Sequence, residues 1–144
     1  MPKSTSAATS ILALIFNATA WADFAENDAS SPATNLYVSL HTSDPGVGGS
    51  QTTNETAYTN YARVAVVRTT SGWVAPSAGA TENNALIQFP QCGASGATIT
   101  HVAIGKASSG TGLVLYSGPL NASLAVANLI QPQFAAGDLT VTES

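Results

Sequence analysis

A chain of 144 residues can bury one proper core and is the length of a single domain. Its apolar content of 44% and net charge of only −4 exclude an intrinsically disordered chain, which needs low hydrophobicity and high net charge. Charge is the outlier: only 8% of residues are Asp, Glu, Lys or Arg, and the four basic ones (Lys3, Arg63, Arg68 and Lys106) form no cluster, which argues against nucleic acid as a partner.

The N-terminus carries the chain's one helical pattern. Ala8, Ile11, Leu12, Ile15 and Phe16 recur at i, i+3 and i+4 spacing, and Ser4 is placed to cap, which predicts an amphipathic helix over residues 5–18. Lys3, the run Ile11–Phe16 and Ala18-Thr19-Ala20 imitate a secretory signal. One basic residue, a short apolar core and an immediate Asn17 make the imitation poor. No run reaches the ~18 apolar residues that span a membrane, so no membrane partner is expected. Residues 19–34 read as a connector, with Trp21 and Phe24 as apolar anchors and breakers from Asn27 to Pro32. Residues 1–34 are therefore expected to form a helix-and-connector arm, and 35–144 the body.

The body reads strand, turn, strand. Leu36, Val38 and Leu40 alternate with Tyr37, Ser39 and His41, the period of a half-buried strand over 35–42, which Asp44-Pro45-Gly46 ends in a turn. A long Gly-, Ser- and Thr-rich loop over 43–57 suggests function or mobility. Further strands are predicted over 60–70 and 84–89, with a short strand or turn at 72–74. The strand over 97–105 is barely polar and expected to be central. Residues 112–117 and 119–127 pair across Gly118-Pro119, and 129–134 and 138–143 make a last hairpin around Ala136-Gly137-Asp138. The sum is an all-β, single sandwich or barrel-like domain of seven to eight short antiparallel strands behind one amphipathic helix.

Chemistry-bearing residues are sparse. His41 and His101 have no carboxylates or third imidazole at ligand spacing, so no metal is expected and both read as hydrogen-bonded or exposed structural residues. Cys92 is alone, which rules out an intrachain disulfide and reads as a small buried hydrophobe. No Gly-x-Ser-x-Gly elbow or phosphate-cradling loop occurs, and Asp44 and Glu55 are the one thinkable acid/base pair, with Asp44 better spent on its turn. No enzyme and no cofactor are expected.

Association is the stronger theme. The chain has 33 Ser plus Thr and 25 Ala, a neutral surface poorly protected against self-contact. Arg63 shares its strand with Arg68 and Tyr61, close to Tyr58; Arg and Tyr are favoured interface anchors, and the competing reading pairs Arg63 with Glu55 or Asp44 inside one subunit. The candidate interface residues are Ile11, Leu12, Ile15, Phe16, Trp21, Phe24, Asp44, Tyr58, Tyr61 and Arg63. The competing reading of the helix face is that it covers the chain's own sheet.

The segment from Leu36 to Gly46, with Asn54-Glu55, Tyr58 and Tyr61-Ala62-Arg63-Val64, resembles a family of small tailed-bacteriophage virion proteins. Phe89-Pro90, Thr100-His101, Ile104-Gly105, Gly112, Leu115-Tyr116-Ser117-Gly118, Pro132, Phe134, Gly137 and Leu139 extend the likeness over nearly the whole chain. Members are described variously as capsid decoration (cement) proteins or tail-fibre proteins. The resemblance implies a virion structural role with no catalytic residues. The first expectation is a cement protein on the capsid surface, a homotrimer bound to the major capsid protein. The alternative is a tail-fibre or baseplate adhesin for a host glycan, with Trp73, Tyr58 and Tyr61 as its aromatic platform.

Overall fold

A computed structural model describes residues 3–21, 25 and 31–143. The chain is mostly β, with one helix and eight strands in antiparallel sheets that stay open, among the described residues, rather than closing into a barrel. Two compact units are each stitched from separate segments: Met1–Asn35, Val66–Ile87 and Phe134–Ser144 form one, Leu36–Ala65 and Gln88–Gln133 the other.

In the first unit, helix α1 (Thr5–Asn17) begins as the sequence predicts, with the Ser4 side chain accepting a hydrogen bond from Ala7 N. It ends at Ala18, whose φ of 52° is left-handed. Ala8, Leu12 and Phe16 are buried, and Ile11 and Ile15 flank them half-buried. The last turn holds no basic residue of its own. Arg68 supplies the charge instead, donating from Nη2 to Leu14 O and from Nε to Ile15 O, both at 2.7 Å, and from Nη1 to Ala33 O at 2.5 Å. A cation on the exposed carbonyls at a helix C-terminus also meets the negative end of the helix dipole. Strands β3 (Ala80–Glu82) and β8 (Thr140–Thr142) pair in this unit, Thr81 opposite Val141. Buried Asn83 accepts from Leu139 N and donates to Ala85 O and Ala135 O, holding the turn before β8.

The second unit is built on β1 (Asn35–His41), β5 (Ala97–Gly105) and β6 (Val114–Val126), within a sheet of order β2-β1-β5-β6 that β2 (Val64–Val67) completes. The central place of β5 is the expected one, and Ile99, Val102, Ala103 and Ile104 on it are buried. β1 departs from its half-buried pattern: Val38 to His41 are all buried, because the loop after β1 folds back along it.

Several sequence expectations are corrected. Residues 112–127 do not form a hairpin across Gly118-Pro119 but one continuous strand of 13 residues, with His101 opposite Pro119 and Val102 opposite Gly118. β6 lies at the sheet edge, where proline's missing N–H costs no ladder bond on the outer side, and an irregularity between Ile99 and His101 absorbs the distortion. The final hairpin is also absent. The turn around Gly137 (φ 85°) forms as expected, but β7 (Gln133–Phe134) pairs with β4 (Ile87–Gln88) and β8 with β3. The strand read over 60–70 shrinks to β2, because Asn60 takes a φ of 77° and Tyr61 N bonds Tyr58 O in a turn. The strand read over 84–89 shrinks to β4, and 72–74 contributes only the single bridge from Trp73 to Asn83.

Candidate functional site

The loop after β1 builds a polar cluster in the second unit. Asp44 Oδ1 accepts from Gly46 N at 2.8 Å, and Gly46 turns with a φ of 73°. The chain then returns along β1, so that Thr42 N bonds Asn54 O, Thr56 N bonds Leu40 O, and Glu55 bridges to His41. This return aims the Glu55 carboxylate at Arg63, which donates from Nε to Oε1 and from Nη2 to Oε2, each at 2.7 Å. The Arg63 side chain is only 2% exposed. Its remaining donors reach Ala107 O at 2.9 Å and Gly110 O at 2.8 Å. Arg63 thus pins two loops at once with a bidentate fork that lysine cannot imitate. Tyr61 adds a third member: its hydroxyl donates to Glu55 Oε1 at 2.9 Å and accepts from Leu40 N at 3.1 Å. Burial, above all, holds the Tyr61 proton far above the usual phenol range, and the Glu55 hydrogen bond raises the Arg63 pKa further.

Two more buried polar residues complete the cluster. Gln51 is fully buried, with Oε1 accepting from Ala107 N at 2.8 Å. It fits because Gly105 and Gly112 have no side chains. A Cβ on Gly105 would sit 2.2 Å from Gln51 Cδ, and one on Gly112 2.3 Å from Oε1. His41 is also fully buried. With Thr53 O 2.9 Å from Nδ1, that nitrogen must carry the proton, and Nε2 accepts from the Ser39 hydroxyl at 2.9 Å.

Desolvation outweighs the Thr53 bond and lowers the His41 pKa below 6.5. The unfolded chain therefore takes up a proton at a pH where the folded chain resists it. The stability His41 contributes is full above about pH 6.5 and falls as pH drops through that value towards the lower folded pKa. Urea midpoints are expected to decline between about pH 7 and 5, and His41→Gln to flatten that decline. An equal slope in the variant would assign the titration elsewhere.

The interface candidates fall into separate sets. Leu12 and Phe16 are buried in the first unit, Ile11 and Ile15 are half-buried beside them, and Trp21 is half-buried. Phe24 lies outside the described residues. Tyr61 and Arg63 are brought together on Glu55 in the second unit, with Tyr58 edge-on against Tyr61, so Arg63 takes the intrachain partner weighed for it. Tyr58 is buried with its hydroxyl on Pro90 O at 2.9 Å, and burial pushes its pKa up to about 12. Asp44 is exposed and spent on its turn. The aromatic platform imagined for a glycan is not available: Trp73 and Tyr58 are buried, and Tyr61 lies between Tyr58 and Phe89 at centroid distances of 5.3 and 6.3 Å.

Sequence reasoning missed Gln51 and Asn83, since a lone polar residue in a polar loop shows nothing of its burial; the glycines at 105 and 112 were the available trace of Gln51. His41, Tyr61, Glu55 and Arg63 are each hydrogen-bonded to a neighbour, so the arrangement locks loops together. No group of three His, Cys, Asp or Glu side chains suited to a metal occurs among the described residues.

A family model described as Podophage GP4 fiber I protein gp80 matches residues 2–142. No curated protein matches the chain. The family match covers nearly the whole sequence and shows that the chain belongs to this family of phage virion structural proteins.

Proposed function

We propose that this member of the podophage fiber I protein family is a structural subunit of the fibres carried by the phage tail. The observation that carries the reading is the match to a fibre family over residues 2–142. It favours the fibre alternative over the capsid-cement role put first on sequence grounds. The residues support a building block rather than a catalyst. Arg63, Glu55, Tyr61, Gln51 and His41 are consumed in holding loops to strands, and a surface with few charges suits permanent contact with other particle proteins. Contacts repeated over several copies stabilise a particle through avidity even where each is small.

Cryo-electron microscopy of the intact particle, with copies of this chain counted against the major capsid protein, tests the proposal. A small number of copies confined to tail appendages is expected. Hundreds of copies over the head would overturn the fibre role and restore decoration.

A further inference from the structure

We propose that His41 on β1 and His101 on β5 form an acid-sensitive catch on the loop after β1, closed at neutral pH and released in mild acid, when residues 52–54 lift from the sheet. The two histidines are register partners in the antiparallel β1–β5 ladder. Their side chains therefore leave the same face of the sheet side by side, with Cβ atoms about 5 Å apart as in any directly opposed pair. His41 is wholly buried and His101 half-buried. Both rings are held as one neutral tautomer. The Thr100 hydroxyl gives its proton to Thr42 O at 2.9 Å, so it accepts from His101 Nδ1 at 2.8 Å, as Thr53 O accepts from His41 Nδ1 at 2.9 Å. A proton arriving in acid therefore goes to Nε2 of each ring. On His41 it reverses the bond to Ser39, whose own proton must then turn to Ala103 O, 3.4 Å away.

The segment that His41 grips is bracketed by firmer anchors. Gln51 carries no charge and is tied to Ala107 N and Gly112 O, and Glu55 sits in the Arg63 fork. Between them, Thr53 hangs on His41 and Asn54 on Thr42. Asn54 has a φ of 55°, a left-handed backbone that persists only where its surroundings hold it. Its Nδ2 also donates to Asp44 O at 2.9 Å, so lifting residues 52–54 loosens the Asp44 turn as well.

The charges around His41 favour release. Glu55 on the loop supports the protonated ring, but Arg63 answers that carboxylate, and both Arg63 and His101 oppose the new charge. Opposite His101, β6 brings Pro119 and no Asp, Glu, Lys or Arg. Two imidazolium rings directly opposed on one buried face repel each other, and lifting the segment admits water to solvate and screen them. Histidine is the side chain whose ordinary charge change falls between about pH 5 and 8. Hydrated His41 takes its proton near the ordinary value of 6.5, whereas the closed form resists it, so protons favour the lifted form. Its population rises by up to about thirtyfold between about pH 7.5 and 5.

Amide hydrogen exchange of the whole chain at those two pH values, corrected for the intrinsic rate, tests the catch. The Thr42 and Thr53 amides, bonded to Asn54 O and Ser50 O, are expected to lose protection in acid, while the Gln51 amide on Gly112 O keeps it. His41→Gln should abolish the loss, and His101→Gln, at a half-buried site, should reduce it at least about twofold. Equal protection of Thr42 and Thr53 at both pH values overturns the proposal. So does an equal loss at Gln51, which would mark unfolding of the unit rather than release of the segment. A loss that His101→Gln leaves unchanged also overturns it, and that variant decides the matter alone if His41→Gln does not fold.

Discussion

Arg63→Met is expected to lower unfolding free energy by about 3 kcal/mol, because removing one partner of a buried ion pair strands the other. The Glu55 side chain is only 15% exposed, and without Arg63 it keeps one identified partner, the Tyr61 hydroxyl. Ala107 O and Gly110 O lose their donors in the same step. A free energy of this size is a large part of a typical domain's 5–15 kcal/mol, and corresponds to a fall in Tm of about 10 °C. Denaturant unfolding of Arg63→Met, Glu55→Gln and the double variant checks the reasoning. The double variant should be more stable than the sum of the single losses predicts, since it removes the stranded charge as well as the pair. A midpoint unchanged in Arg63→Met would mean that the pair behaves as a solvent-screened surface contact. A variant that folds normally yet fails to enter particles would return Arg63 to the interface role first weighed for it.

That cluster also shows what was legible before the fold was known. Local grammar was: the Ser4 cap, the α1 stripe, the Asp44-Pro45-Gly46 turn and the low polarity of β5 each depend on residues within a few positions of one another. Pairing was not. Gly118-Pro119 has the composition of a turn, yet β5 holds it extended along the sheet edge, and no local signal reports that a long partner strand exists. The last hairpin failed for the same reason, since β8 finds β3 some sixty residues earlier, and three-residue strands carry almost no period to read. Among the candidate residues, Arg63 with Glu55 was legible as a pair of opposite charges on neighbouring segments. Arg68 on the helix end was not, because it comes from 53 positions away.

Trp73→Ala is expected to be the most destabilising single change in the first unit, at about 4 kcal/mol, the cost of emptying the space of a buried aromatic. Trp73 is wholly buried and meets Phe16 edge-on, with ring centroids 4.7 Å apart. Asn17 Nδ2 also donates to its backbone carbonyl at 3.1 Å. The two rings therefore fasten α1 to the segment after β2. A helix of 13 residues is marginal by itself, so its order depends on this packing. Phe16→Ala should cost about 3–4 kcal/mol, and the double variant about 1 kcal/mol less than the sum, the share that belongs to the ring pair. Trp73→Phe separates packing from polarity. The indole Nε1 is buried with no hydrogen-bond partner among the described residues, so phenylalanine loses volume but also removes an unmet donor. Its cost should be well under half that of alanine. Unfolding curves followed at 222 nm would report these differences together with loss of helix. A Trp73→Ala cost below about 1 kcal/mol would show that α1 is not held by this contact, and would free its apolar face for the neighbour-anchoring role that the sequence first suggested.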